Sequence, residues 1–312
     1  MGNQPKVSVR SSHLFVHRKR CEPERQPSAT FTNAPSSHPY AFSFPMLPLS
    51  TWNPPARLVG LLTDIDDTLT TEGVVPAYVV QAMESLKARG LAVIPITGRP
   101  VGWSEPFAAA WPVDAIVAEN GAVALQRSLD KRDALLKRYQ QDAATRAAHF
   151  ARMQQVLADI EARVPGARRA TDSPGRETDI AIDHSEFTHL PQERIDQCVA
   201  ILRAAGMNAT VSSIHINGWF GAHNKLEGAR WIVRELLGRD LDAEIDRWVY
   251  VGDSTNDQLM FEHFPHSVGV ANIARFVPQL QHLPRYVTEG ERGAGFAEVA
   301  RAILAGLDRS GS

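Results

Sequence analysis

Residues 58–69 read Leu-Val-Gly-Leu-Leu-Thr-Asp-Ile-Asp-Asp-Thr-Leu. The continuous apolar run at 58–62 is typical of a parallel strand that is covered on both faces. Three carboxylates, those of Asp64, Asp66 and Asp67, follow at the point where this strand ends. Ligands of open parallel sheets bind outside the carboxyl ends of the strands. The stretch therefore predicts an α/β fold and places candidate chemistry at one edge of its sheet.

Outward from this stretch, apolar segments alternate with amphipathic ones from Arg57 onward. The predicted strands are 58–62, 92–96, 115–118, 248–251 and 267–270, and the predicted helices are 77–89, 104–111, 225–237, 256–263 and 295–307. Such alternation is typical of a doubly wound, mostly parallel, Rossmann-like α/β sheet.

The middle of the chain, residues 126–213, has a different pattern. A long charged, alanine-rich stretch predicts a helix through about Arg163, and after it come a strand at 178–183, a helix at 191–205 and two short strands at 208–217. We expect a smaller α+β cap domain inserted into the main one. Residues 57–125 and 214–307 would then form the core domain.

The overall composition excludes several classes of protein. The 312 residues carry a formal net charge of −2, which gives no global electrostatic reason to bind nucleic acid or an anionic membrane. Two cysteines, Cys21 and Cys198, cannot form a disulfide framework. No apolar run is long enough to span a bilayer. We expect a cytoplasmic protein, and the composition leaves its oligomeric state open.

The first fifty residues differ in composition from the rest. They carry six Lys or Arg against two Glu and are rich in Ser, Pro and His, without helical or strand periodicity. This composition predicts a disordered N-terminal tail over residues 1–50. Because the first twenty residues contain Arg and Ser but no acid, an organelle transit peptide is the alternative interpretation.

Polar clusters follow four of the predicted strands. They are 63–68, Thr97-Gly98-Arg99, Glu119-Asn120-Gly121 and Gly252-Asp253-Ser254-Thr255-Asn256-Asp257. Strand ends that meet at one edge of the sheet would bring together the carboxylates of Asp64, Asp66, Asp67, Asp253 and Asp257. Like charges so closely packed need a cation, and hard oxygen ligands favour Mg²⁺ over zinc. The alternative is that each Asp only caps the helix that follows it.

These residues resemble a known family. Asp64-Ile65-Asp66-Asp67-Thr68-Leu69, Thr97-Gly98-Arg99, Lys225 and the segment 252–257 look like the four motifs of the haloacid dehalogenase (HAD) superfamily, in order. Glu119-Asn120-Gly121-Ala122 and the late insertion resemble subfamily IIB, which holds phosphatases of the sucrose-, trehalose- and mannosyl-phosphoglycerate-phosphatase kind. The 33 positions from Asp64 to Thr97 leave room for one helix and one strand, whereas the 128 from Thr97 to Lys225 leave room for a cap.

The resemblance implies a role for each motif. Asp64 would be the nucleophile that forms an aspartyl-phosphate, and Asp66 the general acid and base. Thr97 would donate a hydrogen bond to the phosphoryl oxygens, and Lys225 would neutralise charge. The carboxylates of Asp64 and Asp253 and the backbone carbonyl of Asp66 would hold Mg²⁺, with Asp257 as a ligand or as the partner that orients Lys225.

We therefore expect a Mg²⁺-dependent phosphatase, a phosphoric monoester hydrolase that acts on a small phosphorylated metabolite, with a sugar phosphate favoured. A phosphomutase that uses the same aspartyl-phosphate and a non-catalytic binding protein on this scaffold are the alternatives. Arg99 would be either a phosphate clamp or a structural ion pair. Substrate selection should lie largely in the cap, and the candidate substrate-binding residues are Arg99, Asn120, Arg176, His215 and Asn217.

Overall fold

The computed structural model describes residues 46–128 and 134–310. In chain order the strands and α-helices are β1 (Leu47–Pro48), β2 (Gly60–Thr63), α1 (Ala77–Ala88), β3 (Ala92–Pro95), α2 (Val101–Ala110), β4 (Ile116–Ala118), β5 (Val123–Arg127), β6 (Leu135–Tyr139), α3 (Ala143–Arg163), β7 (Arg168–Arg169), β8 (Ile180–Asp183), α4 (Gln192–Ala204), β9 (Asn208–Val211), β10 (His215–Trp219), α5 (Lys225–Leu237), β11 (Trp248–Gly252), α6 (Gln258–His263), β12 (Ser267–Gly269), β13 (Tyr286–Val287) and α7 (Arg292–Ser310).

A six-stranded parallel sheet forms the centre of the molecule, in the order β1–β13–β12–β11–β2–β3. Successive residues of a strand point to opposite faces. Leu61 and Val249 pack in one apolar core with α1, α2 and α7, whereas Leu62 and Tyr250 pack in a second core with α5 and α6. Both faces of the sheet are covered by helices, so the prediction of a doubly wound α/β core is confirmed.

A three-stranded antiparallel sheet, β4–β5–β6, lies beside the end of the parallel sheet. A single parallel bridge between Ile96 and Val117 links the two. The helix predicted from residue 126 is wrong here, because β5 continues to Arg127 and 135–139 pair with β5 as β6. Leu135 and Tyr139 lie on the same face of β6 and pack against the core, whereas the three residues between them are exposed.

The segment from α3 to β10 forms a separate layer with its own apolar core. Its antiparallel sheet has the order β7–β8–β10–β9, and α3 and α4 contribute Met153, Leu157 and Leu202 to the core. Strand β10 pairs with β8 although 214–219 were assigned to the core domain. The division into a core and an inserted cap stays a prediction, and the strand pairing favours moving its boundaries from 126 and 213 toward residues 140 and 220. We call the α3–β10 layer the cap below.

The N-terminal prediction is wrong for residues 47–50. Leu47 and Pro48 pair with β13, and Leu49 is buried against the core together with Trp52. Residues 1–45 of the predicted tail, with Cys21, lie outside the described residues. Within the two described ranges, no helix is long and apolar enough to cross a membrane.

A tight turn at Glu119-Asn120-Gly121 fixes the position of helix α5. All three residues have left-handed backbone, with φ values of 49°, 56° and 107°. The Cα of Gly121 lies so close to Gly228 of α5 that a β-carbon built on Gly228 would stand 2.6 Å from it. This backbone-to-backbone contact sets the first turn of α5, which begins at Lys225 after the N-cap Asn224.

We expect Gly121→Ala to destabilise the protein. A β-carbon there would strike the carbonyl of Asn224, in addition to the strain of a left-handed L-residue. Gly90→Ala is the matched control, since Gly90 is also left-handed (φ 78°) but has open space around it. The free energy of unfolding, measured in urea, should fall about 1–3 kcal/mol further for Gly121→Ala than for Gly90→Ala. Equal losses would contradict this role of the turn.

Candidate active site

The two central strands bring the first and fourth acidic clusters together. Strands β2 and β11 are parallel neighbours with Thr63 opposite Val251, and the backbone N–H of Asp64 donates to the carbonyl of Val251 at 2.8 Å. Asp64 and Asp253 therefore leave the sheet side by side. Thr97 follows from the adjacent strand, β3, two residues after its end at Pro95.

Three buried carboxylates meet at this edge. Oxygens of Asp64, Asp253 and Asp257 all lie within 4.8 Å of one another. Burial, followed by repulsion from the neighbouring carboxylates, raises the pKa of Asp253 well above its usual value. Burial likewise raises the pKa of Asp64 to about 7, although Lys225 opposes the shift. Such a cluster is costly without a cation.

The donor set fits a hard divalent cation. All three side chains offer carboxylate oxygen, which suits Mg²⁺ rather than zinc. The Oδ1 atom of Asp253 is buried and has no hydrogen-bond partner, as expected of an atom that binds a cation. The three carboxylates could therefore hold a metal ion.

Lys225 places a positive charge beside two of the three carboxylates. Its ammonium lies 2.9 Å from Oδ1 of Asp64 and 2.7 Å from Oδ1 of Asp257. Burial opposes the charged ammonium, but the two carboxylates outweigh it and raise the pKa of Lys225. The lysine is therefore a fixed positive charge beside the Asp64 carboxylate.

Asp257 is engaged on both of its oxygens. Oδ1 accepts from Lys225 and from the hydroxyl of Tyr250, and Oδ2 accepts from the backbone N–H groups of Asp253 and Ser254. This arrangement favours the predicted role in which Asp257 orients Lys225 over the one in which it binds the metal directly.

Thr97 has a hydroxyl proton to offer. It is fully buried, and its Oγ1 accepts a hydrogen bond of 3.0 Å from the backbone N–H of Arg99. Because the oxygen already accepts, the hydroxyl can direct its own proton toward an incoming oxygen. The phosphoryl contact predicted for Thr97 stays a prediction.

Asp66 and Asp67 have arginine partners. Nε of Arg99 donates to both oxygens of Asp66, at 2.9 and 3.0 Å. Asp67 has a left-handed φ of 54°, and its carboxylate lies 2.7 Å from Arg275 and 3.1 Å from Arg292.

Sequence reasoning missed four residues around these carboxylates. The amide of Asn272 donates to Oδ2 of Asp253 at 3.1 Å and to the backbone carbonyl of Asp67 at 3.0 Å. Arg275 also lies 3.3 Å from Asp253. Together with Arg292 and Tyr250, these residues brace the carboxylates. No sequence motif identifies these four residues, because only the folding of the chain brings their side chains to the site.

Three of the predicted substrate-binding residues lie in a buried joint between cap and core. Arg176 donates to the Gly98 carbonyl at 3.0 Å and to Asp179 at 2.7 Å. The side-chain amides of Asn120 and Asn217 donate to the other oxygen of Asp179, at 3.2 and 3.0 Å. These three residues do not line the cavity described next. Their contacts favour a role in seating the cap.

Glu119 completes this joint from the core side. Its buried carboxylate accepts from the backbone N–H groups of Val101, Glu177 and Thr178 and from the hydroxyl of Thr178. Burial raises the pKa of Glu119, while these donors oppose the shift. The Glu119 carboxylate thus links the cap residues Glu177 and Thr178 to Val101, the first residue of α2.

A cavity of about 770 Å³ lies between the core and the cap. Its walls include Asp66, Arg99, Trp103 and Arg275 from the core, and Glu186 and Phe187 from the cap. His215 lies behind this wall, with its Nε2 at 2.8 Å from Glu186. Of the predicted substrate-binding residues, Arg99 alone lines this cavity.

The comparisons with known proteins agree with the family resemblance that the sequence motifs indicate. Residues 61–163 match the family model of haloacid dehalogenase-like hydrolases. The resemblance to the haloacid dehalogenase superfamily is confirmed. The match also bears out the prediction of an enzyme, a hydrolase of haloacid dehalogenase type. No curated protein matches the sequence significantly.

Solved structures share the fold at low sequence identity. A Thermoplasma acidophilum protein has a TM-score of 0.60 at 16% identity, over 79% of this chain and 99% of its own. The sucrose-phosphatase of Synechocystis sp. PCC6803, solved with sucrose and phosphate, has a TM-score of 0.57 at 16% identity, over 80% and 98%. A HAD subclass IIB sugar phosphatase has 0.53 at 14%, over 80% and 99%. These likenesses show the fold.

The buried joint should make stability depend on pH. Burial raises the pKa of Asp179 from 3.8 to about 7, with Arg176 opposing and Glu119 adding to the shift. A raised pKa gives stability that is complete below the ordinary value and is lost as pH rises through 7. We expect the Tm to fall between about pH 4 and pH 7, and to fall less steeply in Asp179→Asn.

Asp159→Asn is the control for this measurement. Asp159 is an exposed carboxylate on cap helix α3, paired with Arg163. This variant should keep the wild-type slope of Tm against pH. If Asp179→Asn kept that slope as well, Asp179 would not titrate in the joint.

Proposed function

We propose that this protein is a Mg²⁺-dependent phosphatase that hydrolyses a small phosphorylated metabolite, a sugar phosphate, through an aspartyl-phosphate. The observation that carries the proposal is the buried Asp64 carboxylate, 2.9 Å from the Lys225 ammonium and beside Asp253, which has an unpartnered oxygen. A nucleophile, a fixed positive charge and a cation site coincide there, as phosphoryl transfer requires.

In the first half-reaction, an oxygen of Asp64 would attack phosphorus while the bond to the leaving oxygen breaks. Lys225 would offset the charge on the nucleophile and on the transferring group, and Thr97 would donate to a phosphoryl oxygen. Mg²⁺, held by Asp64, Asp253 and the backbone carbonyl of Asp66, would supply further charge neutralisation when bound.

Asp66 would act as the general acid in the first half-reaction and as the general base in the second. It gives a proton to the departing alkoxide in the first half-reaction and takes one from the attacking water in the second. Water then displaces the Asp64 carboxylate from phosphorus, so that the products are an alcohol and inorganic phosphate. The Asp66 carboxylate lines the cavity, where a leaving group would lie.

The volume and the lining of the cavity suit a small polyhydroxylated leaving group. The cavity volume is within the range of small-molecule sites. Trp103 and Phe187 offer apolar faces, and Glu186 offers hydrogen-bond acceptors, a combination that suits the two kinds of surface on a sugar. The names of the sucrose-phosphatase and the sugar phosphatase among the structural neighbours support the same class.

Asp64→Asn should abolish turnover, because the amide keeps the shape but loses the nucleophilic charge. We expect phosphate release to fall by at least about 10³-fold. The Tm should not fall, since the substitution removes one charge from three clustered carboxylates. Asp196→Asn, at an exposed cap carboxylate, is the matched control and should keep full activity. Normal phosphate release by a folded Asp64→Asn protein would refute the mechanism.

Removal of the cation should be reversible. We expect EDTA to stop phosphate release and Mg²⁺ to restore it, since the carboxylate cluster repels a phosphate dianion. Mg²⁺ should also raise the Tm of the wild type but not that of Asp253→Asn, which gives a readout independent of activity. Full activity in EDTA would exclude the metal.

The substrate class needs a direct screen. Phosphate release should be measured on 4-nitrophenyl phosphate, hexose 6-phosphates, sucrose 6-phosphate and phosphoglycerate derivatives. Stoichiometric free phosphate from a sugar phosphate supports the phosphatase. Isomerisation of the substrate without net phosphate release would favour a phosphomutase instead.

A further inference from the structure

One guanidinium joins the candidate general acid to the cap. Arg99 holds Asp66 of the core through Nε, and its Nη2 donates to Oε1 of Glu186 at 2.8 Å. Its Nη1 lies 3.4 Å from Oδ2 of Asp172. Glu186 and Asp172 both belong to the cap. The orientation of Asp66 is therefore linked to two cap carboxylates through a single side chain.

Arg99 has little freedom to leave this position. Its side chain is 8% exposed, and its guanidinium lies over the Trp103 ring, 5.0 Å from the centroid. Burial opposes its charge, but Asp66 and Glu186 outweigh burial and raise the pKa of Arg99. Each of the three guanidinium nitrogens faces a carboxylate, and a planar fork held this way fixes the geometry of its partners.

The Glu186 contact is itself preorganised. Its second oxygen, Oε2, lies 2.8 Å from Nε2 of His215. The loop that carries it is fixed by Asp183, whose carboxylate accepts from the backbone N–H groups of residues 185, 186, 187 and 188. Glu186 therefore approaches Arg99 from a loop that four hydrogen bonds hold to Asp183, the last residue of cap strand β8.

The other cap carboxylate, that of Asp172, is bound by Arg176 of the buried joint. Both oxygens of Asp172 accept from Arg176, at 3.0 to 3.2 Å. Arg176 in turn holds the Gly98 carbonyl, next to Arg99 in the chain. The seated cap thus holds Arg99 through two separate arms, one through Glu186 and one through Asp172.

We propose that Arg99 is a positioning residue that aligns the Asp66 carboxylate for proton transfer when the cap is seated. This inference rests on the proposed function, since it assigns Asp66 to the protonation of the leaving group. Its consequence is that Glu186 and Asp172 support the chemistry from the cap without touching the transferring phosphoryl group. A substrate that needs proton donation would then react well only beneath a seated cap.

A phosphate clamp is the competing role for Arg99. A clamp binds the phosphoryl group of every substrate, so its loss would slow all phosphate esters alike. A positioning residue matters only where the leaving group needs a proton. Benzyl phosphate and 4-nitrophenyl phosphate separate the two roles, because they are similar in size but leave as a poor alkoxide and as a stable phenolate.

The test compares kcat/KM on these two esters, since kcat/KM covers the steps through phosphorylation of Asp64. For Arg99→Lys and Glu186→Gln we expect kcat/KM on benzyl phosphate to fall about 10- to 100-fold, part of the full value of acid catalysis, and on 4-nitrophenyl phosphate less than about 3-fold. Asp172→Asn tests the second arm in the same way. Glu161→Gln removes the partner of Arg169 elsewhere in the cap and should change neither value.

The double variant Arg99→Lys/Glu186→Gln should lose no more on benzyl phosphate than Arg99→Lys alone, because the two residues act as one unit. A Tm for each variant shows that it is folded. Equal loss on both esters would overturn the proposal in favour of a clamp, and unchanged benzyl phosphate turnover would overturn it outright. Failure of the proposed function is distinct, because the wild type would then release no phosphate from either ester.

Discussion

Three buried carboxylates, those of Asp64, Asp253 and Asp257, lie within 4.8 Å of one another beside the ammonium of Lys225. Burying like charges is unfavourable unless each is paired or hydrogen-bonded. Much of the surrounding structure meets this requirement: the Tyr250 hydroxyl and two backbone N–H groups satisfy Asp257, and Asn272 satisfies one oxygen of Asp253. The oxygen left without a partner is the one that a cation would take.

The parallel sheet explains how such a cluster can arise. Adjacent strands β2 and β11 end at the same level, so the residues that follow them must lie side by side. Helix α5 then delivers Lys225 from its first turn, and the close approach of Gly121 and Gly228 sets where that turn lies. The reacting groups thus come from rigid elements of the core.

The cap has a different role. Its polar contacts with the core include two places beside the cavity, the joint around Arg176 and Asp179 and the guanidinium of Arg99. Neither place includes a carboxylate of the buried cluster. The cap therefore encloses the cavity and orients Asp66, while the charge that would drive phosphoryl transfer stays with the core.

Sequence patterns predicted much of the fold because the formation of a helix or strand depends largely on residues that are close together in the chain. Helix α5 occupies the predicted residues 225–237, because Asn224 caps its start and Gly238, with a φ of 61°, ends it. The strand β6 was missed because Leu135-Leu-Lys-Arg-Tyr139 gains its burial only by pairing with β5 and packing on the core. The ordered residues 47–50 were missed for the same reason, since β1 exists only as the partner of β13.

Sequence patterns alone predicted four strands of the central sheet, the helices on its faces and the identity of the clustered acids, because strand periodicity and the position of a polar cluster after a strand are local properties. The partners of those acids depend on the tertiary structure. Arg99 meets Asp66 across 33 positions, and Arg275 meets Asp67 across 208. Contacts of that range depend on how the elements pack, since no short pattern records which distant side chain will arrive within hydrogen-bond distance. For that reason Arg176 and Asn217, which read as substrate contacts in the sequence, lie in a buried joint of the folded chain.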